Sequence, residues 1–391
     1  MAQKHAIKGL FHITHIKNLP SILRYGILSH NASQERGIPF EKIYNDNVVS
    51  RRENMLAPDG RSLWHFANLY FQPRNPMLYW VINNYDVENI VILMVDGKLL
   101  SQPDVFISDG NAAVSQSEVM QGEEGLRTLL PRFRKDLDLE WWSEVDGSKR
   151  RIMAEVLTPE AIPPNLIRSV YVGKQCALEQ VRAILDEQRL DLSVIHEPHM
   201  FFRPSLQEKL TDRLALAQGD MFFSRMQTLT VSVNCVGVMG KGLASTAKYR
   251  FPDVYVRYQD LCRQKQIRLG KPYIYKRESS LTDVLADEPI GAGTNTETWF
   301  LLFPTKDHWR EKSDISQIEK GLQWLLDHYK KEGIKSLAIP ALGCGLGGLQ
   351  WKQVGPLLCK YLNQLDVQST IYLPADKEIP SEELEQRFLL E

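Results

Sequence analysis

The sequence predicts two domains, an α+β first half and an α/β second half built on a largely parallel sheet. Three observations carry that expectation. A chain of 391 residues is too long for one ordinary core. Its 43% apolar and 24% charged residues are the balance of a soluble globular protein. From residue 228 onward, short apolar runs alternate with helical patterns, the signature of strands feeding helices.

The same composition excludes several classes. There is no run of 18 apolar residues to span a membrane, and "MAQKHAIKGLF" lacks the apolar core of a signal peptide. The five cysteines are scattered, odd in number and without C-x-x-C spacing, which argues against a disulfide framework and a zinc site. The expected compartment is the cytoplasm, with no metal and no membrane partner. Net charge is −1, so any nucleic-acid contact must come from a local basic strip.

In the first half, "LFHITHI" (10–16) alternates like a strand and "LPSILRYG" is a short helix ended by Gly26. Residues 31–62 are polar, contain the turn "APDGRS", and suggest a long functional loop. Strands are expected at 88–95, 151–157 and 165–173, and a helix at 177–188. The polar, proline-bearing stretch "HEPHMFFRPSLQEKL" (196–210) marks a junction near residue 205, dividing 1–205 from 206–391. In the second half, strands are expected at 228–234, 299–304, 334–342 and 368–374. "SDISQIEKGLQWLLDHYKKEG" reads as a helix with Ser313 or Asp314 as N-cap and Gly333 as C-cap.

Two glycine-rich turns join strand to helix, "VNCVGVMGKG" (233–242) and "IPALGCGLGGLQW" (339–351). Backbone amides at such turns, with the positive end of the following helix, suit a phosphate. Two of them at adjacent strand ends could clamp one diphosphate; the plainer reading is a pair of tight turns. Together with "GDMF" (219–222) and "FPTKDHWR" (303–310), these stretches resemble a macrodomain, and among macrodomains the antitoxin half of the DarT–DarG systems. The resemblance spans nearly all of 207–375. It implies a three-layer α/β/α fold, an ADP-ribose cleft, and hydrolysis of ADP-ribose from a modified base.

Carried residue by residue, the resemblance places Asp220 on the adenine amine and Asn234 beside the distal ribose. Gly240, Gly242, Gly343, Gly345 and Leu346 supply phosphate-binding amides. Lys306 matches the lysine that related deglycosylating macrodomains use against the anomeric carbon. A lysine amine does this when desolvation lowers its pKa; otherwise it pairs a phosphate or faces solvent. Some relatives place an aspartate after "GCGL", where this chain has Gly347, so more weight falls on Lys306.

A domain that erases ADP-ribose raises the question of what writes it. A writer that uses NAD needs a carboxylate to stabilise the oxocarbenium-like transition state and to take the acceptor's proton. Glu155, among apolar residues in "RRIMAEVLTP", fits that need, and fits an exposed strand position equally well from pattern alone. "LFHITHIKNLPSILRYGIL" (10–28), "LYFQPRNPMLYWV" (69–81), "FISDGNAA" (106–113) and "RRIMAEVL" (150–157) resemble the toxin family DarT, over 7–200. That resemblance implies an ADP-ribosyltransferase fold, transfer from NAD to a thymine or guanine of single-stranded DNA, and His12 and Thr14 on nicotinamide.

The resemblance also calls for an arginine before the "PDG" turn to hold NAD phosphates or the reacting ribose. Arg51 and Arg52 adjoin each other, and Arg52 is slightly favoured; the guanidinium fork pairs bidentately and stays charged. In "LYFQPRNPMLYW", Tyr70, Phe71, Tyr79 and Trp80 interleave with Arg74 and Asn75. Such rings suit single-stranded nucleic acid, where stacking is worth roughly 1–3 kcal/mol per base, and suit a core equally. Arg74 and one ring are expected on DNA, with Arg150 and Arg151 adding backbone contacts. The leading expectation is a toxin–antitoxin fusion whose second half restrains the first in cis. The competing ones are an RNA or protein acceptor, and a macrodomain that only reads ADP-ribose, which would not need Lys306.

Overall fold

A computed structural model of the chain describes residues 7, 9–44, 46–290, 297–374 and 377–391. It divides into two compact units, Met1–Phe202 with Thr282–Thr294, and Arg203–Leu281 with Asn295–Glu391. Among the described residues no helix is long and apolar enough to cross a membrane.

Beside a two-stranded ribbon of Ile27–Leu28 and Ala161–Ile162, the first unit has, among the described residues, eight main strands, β1 (Leu10–His15), β2 (Phe66–Tyr70), β3 (Ile90–Val95), β4 (Phe106–Ser108), β5 (Val119–Gln121), β6 (Glu155–Pro159), β7 (Ile167–Val172) and β8 (Ser193–His196). They form one sheet in the order β8-β7-β3-β1-β2-β6-β4-β5, antiparallel throughout except for β8 beside β7. β3 reads "IVILMV" and is buried at five of its six positions, as befits an interior strand covered on both faces. The helix Gln175–Gln188 buries Ala177, Leu178, Val181 and Leu185, one stripe at helical spacing.

Three local readings change. Residues 31–62 are not one loop. They contain most of the helix His30–Glu35, capped by the Ser29 hydroxyl accepting from the Ala32 N–H, and the helix Asp46–Asn54, which carries Arg51 and Arg52. The strand expected at 151–157 begins only at Glu155. Asp146 accepts from the Ser148 N–H at 2.8 Å and Gly147 turns at φ 74°, which starts a one-turn helix over Ser148–Arg151 instead. The aromatic stretch becomes the end of β2 and the helix Pro76–Asn84, so Phe71, Tyr79 and Trp80 are buried core.

The second unit contains β9 (Leu206–Lys209), β10 (Leu214–Gln218), β11 (Thr228–Asn234), β12 (Tyr273–Tyr275), β13 (Trp299–Lys306), β14 (Ser336–Pro340) and β15 (Gln368–Tyr372). The order is β9-β10-β15-β14-β11-β13-β12, with five parallel strands inside and an antiparallel strand at each edge. The helix Ile315–Glu332 is capped by Asp314, which accepts from the Ser316 N–H at 2.9 Å, and is closed by Gly333 at φ 83°. Its Gly321 lies so close to Phe303 that a Cβ would sit 2.5 Å from the ring. The parallel strands bring the turns after β10, β11, β13 and β14 to one edge, the carboxyl edge where α/β sheets bind ligands.

Candidate active sites

Glu155, the first residue of β6, is fully buried. Its Oε2 accepts from Arg52 Nη1 at 2.9 Å, and its Oε1 accepts from the same nitrogen at 3.2 Å and from the Ala112 N–H at 2.9 Å. The Glu155 N–H donates to the Ser108 hydroxyl at 3.0 Å, which donates in turn to the Gly110 carbonyl at 2.6 Å. The stretch "FISDGNAA" thus holds Glu155 at its backbone through Ser108 and at its carboxylate through Ala112. Of the two adjacent arginines, the Arg52 side chain is 12% exposed and bound to Glu155, whereas that of Arg51 is 51% exposed and pairs with Glu288. Arg52 Nη2 is buried without a hydrogen-bond partner, one unused donor beside the carboxylate.

The cost of removing each arginine should therefore differ. Arg52→Ala strands a buried carboxylate and is expected to lose about 3 kcal/mol or more of stability, against under about 1 kcal/mol for Arg51→Ala. Urea unfolding of the two variants checks this; equal losses would contradict the assignment of Arg52 as the buried partner.

His12 and Thr14 lie two positions apart on β1 and line one pocket with Asn18, His30 and Tyr44. His12 Nδ1 is 3.2 Å from the Asn68 carbonyl, and burial pushes its pKa down to about 4. At neutral pH the ring is uncharged; since a carbonyl only accepts, Nδ1 carries the proton and Nε2 is left as an acceptor. Asn18 donates to Thr14 Oγ1 at 3.1 Å and exchanges hydrogen bonds with the Glu41 backbone, at 2.8 and 2.7 Å, fixing the loop that edges the pocket. A second pocket adjoins it, lined by Arg52, Tyr70, Asn111 and Met153 among others, with His30, Tyr44 and Asn68 common to both.

The residues expected on nucleic acid divide. Tyr70 lines the second pocket. Arg74 is buried, pairs with Glu140 and stacks over the Phe202 ring at 4.5 Å. Asn75 is fully buried and caps the helix Pro76–Asn84 by accepting from the Leu78 N–H at 3.0 Å. Arg150 braces the loop that holds Glu155 through Asp109 at 2.8 Å, and Arg151 pairs with Asp136 at 2.6 Å. Four of the five thus have internal partners, Arg74 and Asn75 being buried and the Arg150 and Arg151 side chains about a quarter exposed.

In the second unit the first glycine turn follows β11. The Asn234 amide is engaged within the turn: Oδ1 accepts from the Val236 N–H, the Val238 N–H and the Tyr258 hydroxyl, and Nδ2 donates to the Val238 carbonyl at 2.6 Å. It is the brace of the turn. Gly240 and Gly242 are exposed, the latter at φ 61° opening the helix Gly242–Arg250. The second turn follows β14, with Gly343 buried at φ 76°, Gly345 facing open space and Leu346 67% exposed. A Cβ at Gly242 would lie 3.8 Å from Leu346 Cδ1, so the two turns face each other. A Cβ at Gly347 would meet Ser313 Oγ at 2.3 Å and the Gly343 carbonyl at 2.5 Å. No aspartate fits there without moving the turn.

Lys306 ends β13 in register with Asn234, and its Nζ donates to the Leu346 carbonyl at 3.1 Å. Burial lowers its pKa from the usual lysine value. Asp220, after β10, pairs with Arg250 at 2.5 Å and accepts from the Phe222 N–H at 3.0 Å. Val236, Val238 and Leu346 are exposed apolar side chains on the turns, a surface suited to a ring or sugar face. Sequence reading passed over Asn18, His30, Tyr44 and Asn111; the polar "KN" after β1 was a signal for the first and the stretch "FISDGNAA" for the last, while His30 and Tyr44 had none.

Residues 11–202 match the family described as "DarT: ssDNA thymidine ADP-ribosyltransferase, DarT", and residues 291–358 match the macro domain. A DNA ADP-ribosyl transferase–DNA ADP-ribosyl glycohydrolase fusion protein from Thermosipho africanus is 50% identical over 388 residues, covering 98% of both chains. The structure of Thermosipho africanus DarTG in complex with ADP-ribose superposes with a TM-score of 0.91 at 49% identity, over 98% of this chain and all of that one. A DNA ADP-ribosyl glycohydrolase from Mycobacterium tuberculosis is 34% identical over 163 residues, 41% of this chain and 42% of that protein. The chain belongs to the family of DarT–DarG fusions, in which a DarT-type ADP-ribosyltransferase and a DarG-type macrodomain share one polypeptide.

Proposed function

We propose that this chain transfers ADP-ribose from NAD to a thymine or guanine of single-stranded DNA through its first unit, and removes it through the glycine turns and Lys306 of its second. The observation that carries this reading is the Glu155–Arg52–Ala112 cradle, in a chain half identical over its length to a protein named for both activities. In the transfer, the bond between the ribose anomeric carbon and nicotinamide breaks and a bond to a base nitrogen forms. The buried Glu155 carboxylate stabilises the positive charge building on the ribose and takes the acceptor's proton. Arg52, with a buried unpaired donor beside that carboxylate, suits the NAD phosphates or ribose, and neutral His12 with Thr14 suits the nicotinamide amide. We place both activities in the cytoplasm.

For removal, the backbone amides around Gly240, Gly242, Gly343, Gly345 and Leu346 hold the diphosphate, with Asp220 toward the adenine. The partly buried Lys306 amine serves the anomeric carbon. Gly347→Ala is expected to weaken ADP-ribose binding at least about ten-fold, because the added Cβ displaces the Gly343 carbonyl, whereas Gly345→Ala faces open space and should do less. Calorimetry with ADP-ribose checks the order. The acceptor is tested by incubating the full-length Lys306→Ala chain with NAD and each of four homopolymeric DNA oligonucleotides and weighing the products. Mass added only to thymine or guanine oligonucleotides supports the reading; mass added to none, or to the protein instead, contradicts it.

A further inference from the structure

Between β12 and β13 the chain leaves the second unit, and residues 282–290 pack as part of the first. Leu285 and Ala286 are buried, at 0% and 1% exposure. Trp142 Nε1 donates to the Leu285 carbonyl at 2.8 Å, Trp80 Nε1 to the Pro289 carbonyl at 3.1 Å, and the Asp287 N–H to the Pro76 carbonyl at 3.3 Å. These anchors hold two consecutive carboxyl groups in the pocket beside Arg52. Glu288 pairs with Arg51, and both Asp287 and Glu288 line the pocket with Arg52, Tyr70, Asn111 and Met153.

Asp287 is only partly compensated for its place, by backbone N–H groups of Asp287 and Glu288 and by the Lys149 charge. Its Oδ1 is buried without a hydrogen-bond partner, a loss that a folded chain ordinarily avoids. Burial and the neighbouring Glu288 push its pKa up to about 6. Glu288 meanwhile gives the Arg51 guanidinium the pairing that a nucleic-acid phosphate would give it. Residues 285–289 therefore set two acidic groups on the arginine-bearing side of the Glu155 pocket, where a polyanion would have to approach.

We infer that residues 282–290 are an acidic strap that docks in the transferase pocket and competes there with single-stranded DNA. The inference rests on the proposed transferase reading of the Glu155 site. Its ligand is a segment of the same chain, its anchors are two indoles and a backbone carbonyl, and its contact with Arg51 is one that DNA must displace. Cis restraint then resides in the docking of one short segment, separately from any erasing of product.

The test uses the full-length chain carrying Asp287→Asn and Glu288→Gln, which remove both charges and keep both shapes, and separately Trp142→Phe, which loosens one anchor. Affinity for a fluorescein-labelled single-stranded oligonucleotide is read by anisotropy across salt concentrations, and nicotinamide release from NAD is read with and without DNA. The inference expects the double variant to bind DNA at least ten-fold tighter. Its log–log salt slope should steepen by about 1 as Arg51 loses the Glu288 charge and can pair with phosphate. DNA-dependent nicotinamide release should show a lower KM for DNA, with an unchanged KM for NAD. Trp142→Phe should shift DNA binding in the same direction. Unchanged DNA affinity in both variants overturns it. So does a fall in kcat with DNA affinity intact, which would make Asp287 a residue that positions the acceptor, and so does a change confined to the KM for NAD. Tighter DNA binding without any nicotinamide release would leave the strap standing and sink the transferase reading instead.

Discussion

Glu155→Gln is expected to lower DNA modification by about 10²–10³-fold or more while leaving the fold and NAD binding nearly intact. The carboxylate is fully buried and accepts from Arg52 and from the Ala112 N–H. Glutamine matches its shape and keeps one acceptor oxygen, so packing around β6 is retained. It loses the negative charge that the ribose requires as nicotinamide leaves, and it turns an amide NH₂ toward donors that need an acceptor. Chemistry should suffer far more than structure. Modification measured by mass spectrometry of an oligonucleotide, beside a melting curve and an NAD titration, separates the two. A variant that modifies DNA within ten-fold of wild type would remove Glu155 from the role given to it.

Lys306→Ala should keep ADP-ribose affinity within a few-fold and lose hydrolysis by about 10²-fold or more. Binding and chemistry come from different atoms in this site. The turns offer backbone amides that no side-chain substitution removes, and Asn234 and Tyr258 brace the first turn through contacts that do not involve Lys306. Lys306 contributes a partly buried amine and one hydrogen bond to the Leu346 carbonyl. Calorimetry with ADP-ribose, and release of ADP-ribose from modified DNA, are the two measurements. Loss of binding would make Lys306 a ligand-holding residue; retained hydrolysis would place the chemistry elsewhere.

The architecture of the second unit was legible because each strand and helix declares itself locally. Asp314 and Gly333 bound one helix by side-chain and backbone rules that need no tertiary context. The first unit was harder, since its strands are separated by short helices whose caps compete with extended structure, as Asp146 does before Ser148. Site chemistry was legible where a residue's partner is fixed by its turn, and illegible where the partner is remote. Arg51 and Arg52 are neighbours in sequence, yet only one turns toward Glu155, 103 positions away. Asn75 before Pro76 is a helix N-cap signal, and in this fold Oδ1 caps the helix while Nδ2 donates to the Gln72 carbonyl, which engages both ends of the amide. Arg150 meets Asp109 across 41 residues, a pairing no local pattern announces. The return of residues 282–290 to the first unit had no local sign either, because an exposed Asp-Glu-Pro loop and a docked one share a composition.

The central claim is that one chain both writes and erases the same mark, and complementation between two full-length variants tests it most directly. The Lys306→Ala chain, given NAD and single-stranded DNA, should add ADP-ribose that persists. After removal of that protein and of NAD, the Glu155→Gln chain should return the oligonucleotide to its original mass. A mark that the Lys306→Ala chain never makes, or one that the Glu155→Gln chain binds and cannot remove, would contradict it.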